Sequence, residues 1–157
     1  MAGNFDFLTT TDKPALLGLS TPEWQELARA ALTELGYKIH QAAAHSDFIA
    51  NFAQVAYQVV IIEEHFASDT APENRSLAFL QQSQMHLRRH CTLILVGDSF
   101  TSFNPVQAFQ NGVHLVVNRS EILLLIQFIQ KAVGDNDLFL HAFREAQRRV
   151  ALGTARD

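Results

Sequence analysis

Two adjacent carboxylates, Glu63 and Glu64, are the side chains best placed to do chemistry, because they directly follow a Val-Val-Ile-Ile run that is typical of a buried strand. In open parallel sheets, ligands bind beyond the carboxyl ends of the strands. A hard cation at that edge needs several carboxylate oxygens, and the first strand pattern ends at Leu19 and Ser20, which supply none. We therefore expect no Mg²⁺ site. We expect a strand-end carboxylate to pair with Arg119, which follows the last strand pattern.

A polar loop after the fourth strand pattern is a second candidate site. Residues 98–104 read Asp-Ser-Phe-Thr-Ser-Phe-Asn, and Asp98, Ser99 and Thr101 are its candidate ligand-binding residues. Hydroxyl and amide groups in such a turn can hold an anion or a nucleotide. Together with Glu64, this loop is the site that a small-ligand-binding or enzymatic domain would use.

The histidines and the cysteine could form a metal site only with further ligands. His86 and His90 are four residues apart, which puts them on one face of a helix, and Cys91 follows directly. Cys91 is expected to begin the fourth strand and to point into the core. We interpret residues 86–90 as the solvated, basic end of a helix and His114 as a structural histidine in the last strand. No metal site is predicted.

Motifs for nucleotide binding and for nucleophilic catalysis are missing from the sequence. The seven glycines, at positions 3, 18, 36, 97, 112, 134 and 153, are too far apart for a dinucleotide-binding or P-loop signature. Ser20 lacks the second glycine of a nucleophile elbow. It is expected instead to begin a capping box with Glu23. We predict no catalytic residue and no cofactor, and interpret the protein as a non-enzyme.

Five strand patterns alternate with helix patterns, and these elements must position the residues above. The predicted strands cover residues 14–19, 37–40, 59–62, 92–96 and 113–117, and the predicted helices cover 21–35, 45–56, 75–89, 105–110 and 121–133, the last capped by Ser120. Right-handed crossovers between parallel strands place helices on both faces of a sheet. The predicted fold class is therefore α/β, a three-layer α/β/α sandwich with a five-stranded parallel sheet.

Two segments flank this core of residues 14–133, and we predict one domain over residues 1–157. The first is an N-terminal extension, residues 1–13, and the second is a C-terminal helix within 135–152, capped by Asp137. That helix carries an apolar stripe of Leu138, Phe139, Ala142, Phe143, Ala146 and Val150. It is expected either to pack on the core or to pair with another chain.

Composition excludes several classes of protein. The chain has 157 residues, of which 48% are hydrophobic, and 12 Lys and Arg against 16 Asp and Glu, which gives a net charge of −4. This balance argues against nucleic acid as the main ligand, even with arginines at 88, 89, 144, 148 and 149. A single cysteine allows no internal disulfide, and no apolar run is long enough to span a membrane. We expect a cytoplasmic protein.

The order of the elements and three short segments resemble the receiver domain of bacterial response regulators. The segments are Glu-Leu-Gly-Tyr at 34–37, Tyr-Gln-Val-Val-Ile-Ile-Glu at 57–63 and Asn-Gly-Val-His at 111–114. The resemblance covers about residues 14–133 and implies a flavodoxin-like sheet. In that family an acidic pair that binds Mg²⁺ ends strand one, and a phosphorylated aspartate ends strand three. A Ser or Thr ends strand four, and a lysine ends strand five.

Every one of these family positions carries a different residue type here. The matching positions are Leu19 and Ser20 for the acidic pair, Glu63 for the aspartate, Gly97 for the hydroxyl residue, and Arg119 for the lysine, or Asn118 if the last alignment shifts by one residue. Phosphoryl transfer depends on a metal ion to neutralise charge, and nothing in the sequence replaces the acidic pair. The resemblance therefore implies a degenerate pseudo-receiver that has lost phosphotransfer.

We predict a regulatory module of a bacterial two-component signalling pathway that binds protein partners independently of phosphorylation. The resemblance implies a homodimer through helix four, strand five and helix five, and the C-terminal helix is the other candidate interface. Two interpretations of Glu63 stay open: its charge imitates a phosphorylated state, or it is a tolerated surface acid. The alternative function is a small-ligand-binding or nucleotide-binding domain, possibly an enzyme, that uses the carboxyl edge of the sheet.

Overall fold

A five-stranded, all-parallel sheet forms the centre of the computed structural model, which describes residues 11–67, 74–83 and 90–156, the side chains to residue 153. The strands are β1 Pro14–Gly18, β2 Lys38–Gln41, β3 Val59–Glu63, β4 Thr92–Gly97 and β5 Leu115–Asn118, in the order β2-β1-β3-β4-β5. The register places Gly18 beside Ile62, Glu63 beside Val96, and Gly97 beside Asn118. The ends of β1, β3, β4 and β5 therefore meet at one edge.

Helices cover both faces of the sheet, which confirms the predicted three-layer fold. They are α1 Pro22–Glu34, α2 His45–Gln54, α3 Arg75–Gln82, α4 Pro105–Asn111 and α5 Leu125–Arg156, with a 3₁₀ turn over Arg119–Leu124. Alternate strand residues point to opposite faces. Leu17, Ile61 and Val96 pack in the cluster that includes residues of α1 and α5. Their neighbours Leu16, Val60 and Leu95 pack in the cluster on the other face.

The predicted capping residues were wrong at two helix starts. Thr21 is the N-cap of α1 and its side chain makes no capping hydrogen bond, whereas the Ser20 hydroxyl accepts a hydrogen bond from the amide of Ala67 at 2.8 Å. Asn118 is the cap after β5, where its side chain accepts from the amide of Ser120 at 2.9 Å. Both cap predictions rested on sequence spacing, and each serine contacts a different group in the fold.

The two last predicted helices are one continuous helix of 32 residues, α5. Gly134 and Asp137, which were expected to separate them, lie in its interior. A helical glycine costs only about 1 kcal/mol relative to alanine, so burial of neighbouring residues can carry the helix through it. Asp137 is therefore not an N-cap.

The third helix is shorter than the predicted range of 75–89. It ends at Gln82, because Ser83 has an extended backbone with φ −67° and ψ 147°. The remaining residues, 84–89, contain His86, Arg88 and Arg89 and lie outside the described residues, as do the N-terminal residues 1–10 and the loop 68–73. In the described part of the chain, no helix has the length and apolar content needed to cross a membrane.

Candidate functional site

The carboxyl edge of the sheet forms a cleft of about 550 Å³ that brings most of the predicted site residues together. Residues from the ends of β3, β4 and β5 and from the first turn of α1 line it: Thr21, Glu23, Trp24, Leu27, Glu63, Glu64, His65, Gly97, Asp98, Arg119, Ser120, Ile122 and Leu123. Leu19 is 1% exposed and packs in the core. The edge that the sequence indicated is therefore a real concavity.

Glu63 is held by the turn between β1 and α1. One carboxylate oxygen, Oε1, accepts hydrogen bonds from the amides of Ser20 and Thr21, both at 3.0 Å, and the Thr21 hydroxyl donates to Oε2 at 3.1 Å. The side chain is buried, with 8% of its surface exposed. An anion at a helix N-terminus is favoured by the helix dipole and by the amides that point outward there. Glu63 therefore serves as an internal anion for α1.

Glu64 occupies the space above the end of β4. Its Oε1 lies 3.4 Å from the amide nitrogen of Ser99, which donates to it, and 3.9 Å from Nε2 of His65. A Cβ atom added to Gly97 would lie 2.4 Å from that oxygen and 2.7 Å from the Cβ of Glu64. Because such distances are far below van der Waals contact, a Ser or Thr does not fit at position 97 while Glu64 keeps this position.

Arg119 pairs with a carboxylate at a strand end, and that carboxylate belongs to Asp98. The Arg119 Nε atom lies 2.6 Å from Oδ1 of Asp98, and both side chains are about three-fifths exposed, at 61% and 60%. The predicted pairing thus occurs, but neither Glu63 nor Glu64 is the acid, because Glu63 accepts from amides that follow β1 and Glu64 from an amide that follows β4. An exposed pair of this kind adds at most about 1 kcal/mol to stability.

Asn118, the alternative to Arg119 as the match for the family lysine, is the residue that ends β5. Its Nδ2 donates to the carbonyl oxygen of Phe100 at 2.7 Å, and its Oδ1 accepts from the Ser120 hydroxyl at 2.7 Å as well as from the Ser120 amide. Asn118 therefore holds the loop after β4 against the start of the 3₁₀ turn. Only the strand register, which places it beside Gly97, identifies this role.

The polar groups of the loop at residues 98–104 are used within the loop and by its neighbours. Gln107 accepts a hydrogen bond from the amide of Thr101 at 2.7 Å, and the Ser102 hydroxyl accepts from the amide of Asn118 at 2.9 Å. Asn104 caps α4 by accepting from the amide of Gln107 at 3.0 Å. Ser102 and Asn104 therefore have structural roles, while the side chains of Ser99 and Thr101 are exposed.

Charge in the cleft is predominantly acidic. Its carboxylates are Glu23, Glu63, Glu64 and Asp98, and Arg119 is its only permanently charged cation among the described residues. Like charges repel, so the cleft is unfavourable for phosphate or a nucleotide. Within the described ranges, no group of three or more His, Cys, Asp or Glu side chains is arranged to hold a metal ion.

The other candidate residues have structural surroundings. Nδ1 of His114 accepts a hydrogen bond from the amide of Leu93 at 3.0 Å, and Nδ1 of His90 lies 3.3 Å from a guanidinium nitrogen of Arg144. Cys91 is buried, as predicted, and burial raises the pKa of its thiol, which keeps it protonated. These residues do not converge on the cleft.

Comparison with known proteins identifies the fold but no close relative. No protein-family model and no curated protein matches the chain. Among solved structures, it is similar to the chemotaxis response regulator CheY4 of Vibrio cholerae, with a TM-score of 0.60, 13% identity and coverage of 78% of this chain and 99% of that one. It is also similar to a CheY-like receiver domain from Methanospirillum hungatei, with a TM-score of 0.62, 16% identity and coverage of 81% of this chain and 98% of that one.

A third similar structure covers more of the chain. It is the signal receiver domain of an HD domain-containing protein from Pseudomonas fluorescens, with a TM-score of 0.60 and 17% identity over 90% of this chain and 98% of that one. These identities are low, while the sheet order, the helices on both faces and the coverage agree. The chain therefore has the fold of a response-regulator receiver domain.

Proposed function

We propose that the protein is a pseudo-receiver, a non-catalytic signalling module that acts through protein partners without being phosphorylated. The observation that carries this proposal is the position of Glu63, whose two carboxylate oxygens accept hydrogen bonds from Ser20 and Thr21. A carboxylate that attacks a phosphoryl group needs a free oxygen and a positive charge beside it. In Glu63, Oε1 already accepts two amide hydrogen bonds and Oε2 accepts one from the Thr21 hydroxyl, while the arginine of the cleft, Arg119, pairs with Asp98.

The same contacts favour a structural role for the charge of Glu63 over imitation of a phosphorylated state. Its carboxylate turns toward α1, and no hydrogen bond joins it to β4 or β5 among the described residues. The position that would carry a switch hydroxyl is Gly97, and Glu64 fills the space above it. On this proposal the charge of Glu63 holds the β1–α1 turn and does not act as a switch.

Exposed apolar side chains support a role in protein binding. Val106 and Phe109, three residues apart on one face of α4, are 61% and 87% exposed, and Leu123 in the 3₁₀ turn is 77% exposed. Neighbouring exposed apolar side chains such as the two on α4 mark interaction surfaces. We propose a cytoplasmic bacterial signalling pathway as the setting, and α4, β5 and α5, or the C-terminal half of α5, as the surface of a homodimer.

Incubation with Mg²⁺ and acetyl phosphate, a small phosphoryl donor, tests the loss of phosphotransfer. Intact mass should show no added phosphoryl group, while a receiver domain that carries the acidic pair gains one under the same conditions. A phosphoryl adduct that disappears in the Glu63→Gln variant would overturn the proposal. An adduct that persists in that variant would lie elsewhere and would equally contradict a module that is never phosphorylated.

A further inference from the structure

The apolar stripe of α5 continues beyond the sheet that covers its first half. In that half, the residues facing the core repeat every three or four positions: Leu125, Ile129, Ala132 and Asn136, exposed by 2%, 0%, 7% and 6%. The buried series ends at Leu140, which is 5% exposed. An adjacent apolar stripe of Phe139, Phe143, Ala146 and Val150, spaced by three or four residues, continues along the distal part of the helix. Here Phe139 is 59% and Val150 69% exposed. An apolar repeat of this spacing that extends past the residues packed on the sheet is typical of a helix that pairs with another helix.

We propose that the distal segment of α5, residues 137–152, pairs in antiparallel orientation with the same segment of a second copy of the chain. This inference deepens the proposed function, on which it rests, by naming the partner and the register. The two-fold axis lies at the level of residues 144 and 145. Each subunit then contributes the same surface to a self-complementary interface, as two-fold symmetry requires.

Side-chain size selects this register. With the axis at that level, Phe143 lies opposite the partner's Ala146, and Phe139 lies opposite the partner's Val150. Asn136, at the level of the partner's Gly153, is 6% exposed and packs on β4, so the pairing ends before it. Each layer of the pair therefore joins a larger side chain with a smaller one, and cores fill space best in this way.

A parallel pair would fill space less evenly. Identical residues would then face each other, so Phe143 would meet the partner's Phe143 while Gly153 would meet the partner's Gly153. The first layer is overfilled and the last is a void, and both kinds of misfit cost free energy. The sequence of large and small residues along the stripe therefore favours the antiparallel orientation.

A groove beside the stripe provides room for the end of the partner's helix. It measures about 810 Å³, lies between α4, β5 and α5, and is lined on the α5 side by Ala132, Asn136, Phe139 and Phe143. The overlap of 16 residues spans about 24 Å of helix at 1.5 Å per residue. It brings the end of the partner's helix to the level of residues 133–136, where the groove begins.

The stripe and the groove both contribute apolar surface to this dimer. On the helix, Phe139 and Val150 are 59% and 69% exposed, and the half-buried Phe143 lies between them. Phe103, which is 38% exposed, adds a ring from the wall of the groove. Stable interfaces bury about 800 Å² on each partner, so the helix pair needs the groove as a second contact area.

Sedimentation equilibrium of the full chain tests the interface with matched variants. We expect a dimer for the unchanged chain, and a dissociation constant raised about tenfold or more by Phe143→Lys or Val150→Lys. Leu152→Lys, on the opposite face of the helix and 56% exposed in the unchanged chain, should leave it unaltered. Circular dichroism checks that each variant keeps its helix. A monomer at millimolar concentration, or equal weakening by Leu152→Lys, would overturn the proposal without affecting the phosphorylation result.

Disulfide trapping tests the orientation. Phe143→Cys and Ala146→Cys variants, mixed under mild oxidation, should link to each other more than to themselves, because these two positions face each other only in the antiparallel register. Cys91 is 2% exposed, so the unchanged chain should remain unlinked and serves as the control. A predominance of self-linked Phe143→Cys protein would show a parallel pair and reject this register.

Discussion

At the scale of single residues, hydrogen bonds from the protein take the place of those that water would donate to the Glu63 carboxylate. Two amides and one hydroxyl, from residues more than forty positions earlier in the chain, point at its oxygens. Hydrogen bonds to a charged group contribute about 1.5–3 kcal/mol, more than those between neutral groups. The strand end and the first turn of α1 are therefore tied together by one side chain.

Substitution of Glu63 should lower the stability of the fold. Glu63→Gln keeps an acceptor but removes the charge, so we expect a loss of about 1 kcal/mol in the free energy of unfolding, and Glu63→Ala should lose about 2–3 kcal/mol. Glu26→Gln on the exposed face of α1 is the control and should change stability by no more than about 0.5 kcal/mol. Urea unfolding measures all three. Equal stability of Glu63→Ala and the unchanged chain would contradict the tie to α1.

The sequence indicates where Glu63 lies but not what it contacts. The apolar run before it predicts a strand end at the carboxyl edge of the sheet, and the structure confirms this. Its partners are backbone amides, which every residue type offers, so no pattern of side chains identifies them. Opposite charge alone predicted that a strand-end glutamate would pair with Arg119. The strand register instead sets Gly97 beside Asn118, and this brings the next residues, Asp98 and Arg119, together.

At the scale of elements, α5 shows how tertiary burial outweighs a local signal. Two helices were predicted, one over residues 121–133 and one capped by Asp137, yet Ala132 and Asn136 on either side of Gly134 are buried and hold one continuous helix together. Asn136 also donates from Nδ2 to the Thr92 hydroxyl at 3.3 Å, which joins this part of α5 to β4. The apolar stripe within residues 138–150 was visible in the sequence, but the continuity of the helix that carries it was not.

Replacement of Gly134 should stabilise the protein. No atom lies within 4 Å of a Cβ added at this position, so Gly134→Ala should gain about 0.5–1 kcal/mol from its higher helix propensity alone. Gly97→Ala is the contrasting change, because its Cβ would meet Glu64, and it should destabilise the fold. Thermal unfolding compares the two. A lower midpoint for Gly134→Ala would show that α5 is not continuous at this residue.

At the scale of the whole molecule, the fold could be predicted from the periodicity of apolar residues. The candidate site, in contrast, differs from the receiver family at each of the family's functional positions, so its contacts could not be predicted from the family. Alternating strand and helix patterns suffice to predict a parallel sheet covered on both faces, because each pattern is repeated several times and errors at single boundaries do not change the topology. A site depends on a few side chains whose partners come from distant segments. The fold was therefore predicted well, and the contacts of its carboxyl edge were not.

The most direct test of the central claim, that Glu63 closes the phosphorylation edge, is a two-dimensional NMR titration with Mg²⁺ that follows the amides of Ser20 and Thr21. Both amides donate to the Glu63 carboxylate at 3.0 Å, so they report any competitor for its oxygens. We predict that their resonances stay in place as Mg²⁺ is added to the unchanged chain. The Glu63→Gln substitution itself should shift the same two resonances relative to the unchanged chain, because it alters the acceptor of both amides. Saturable shifts of these two amides by Mg²⁺ in the unchanged chain would show an open metal site at Glu63 and contradict the account.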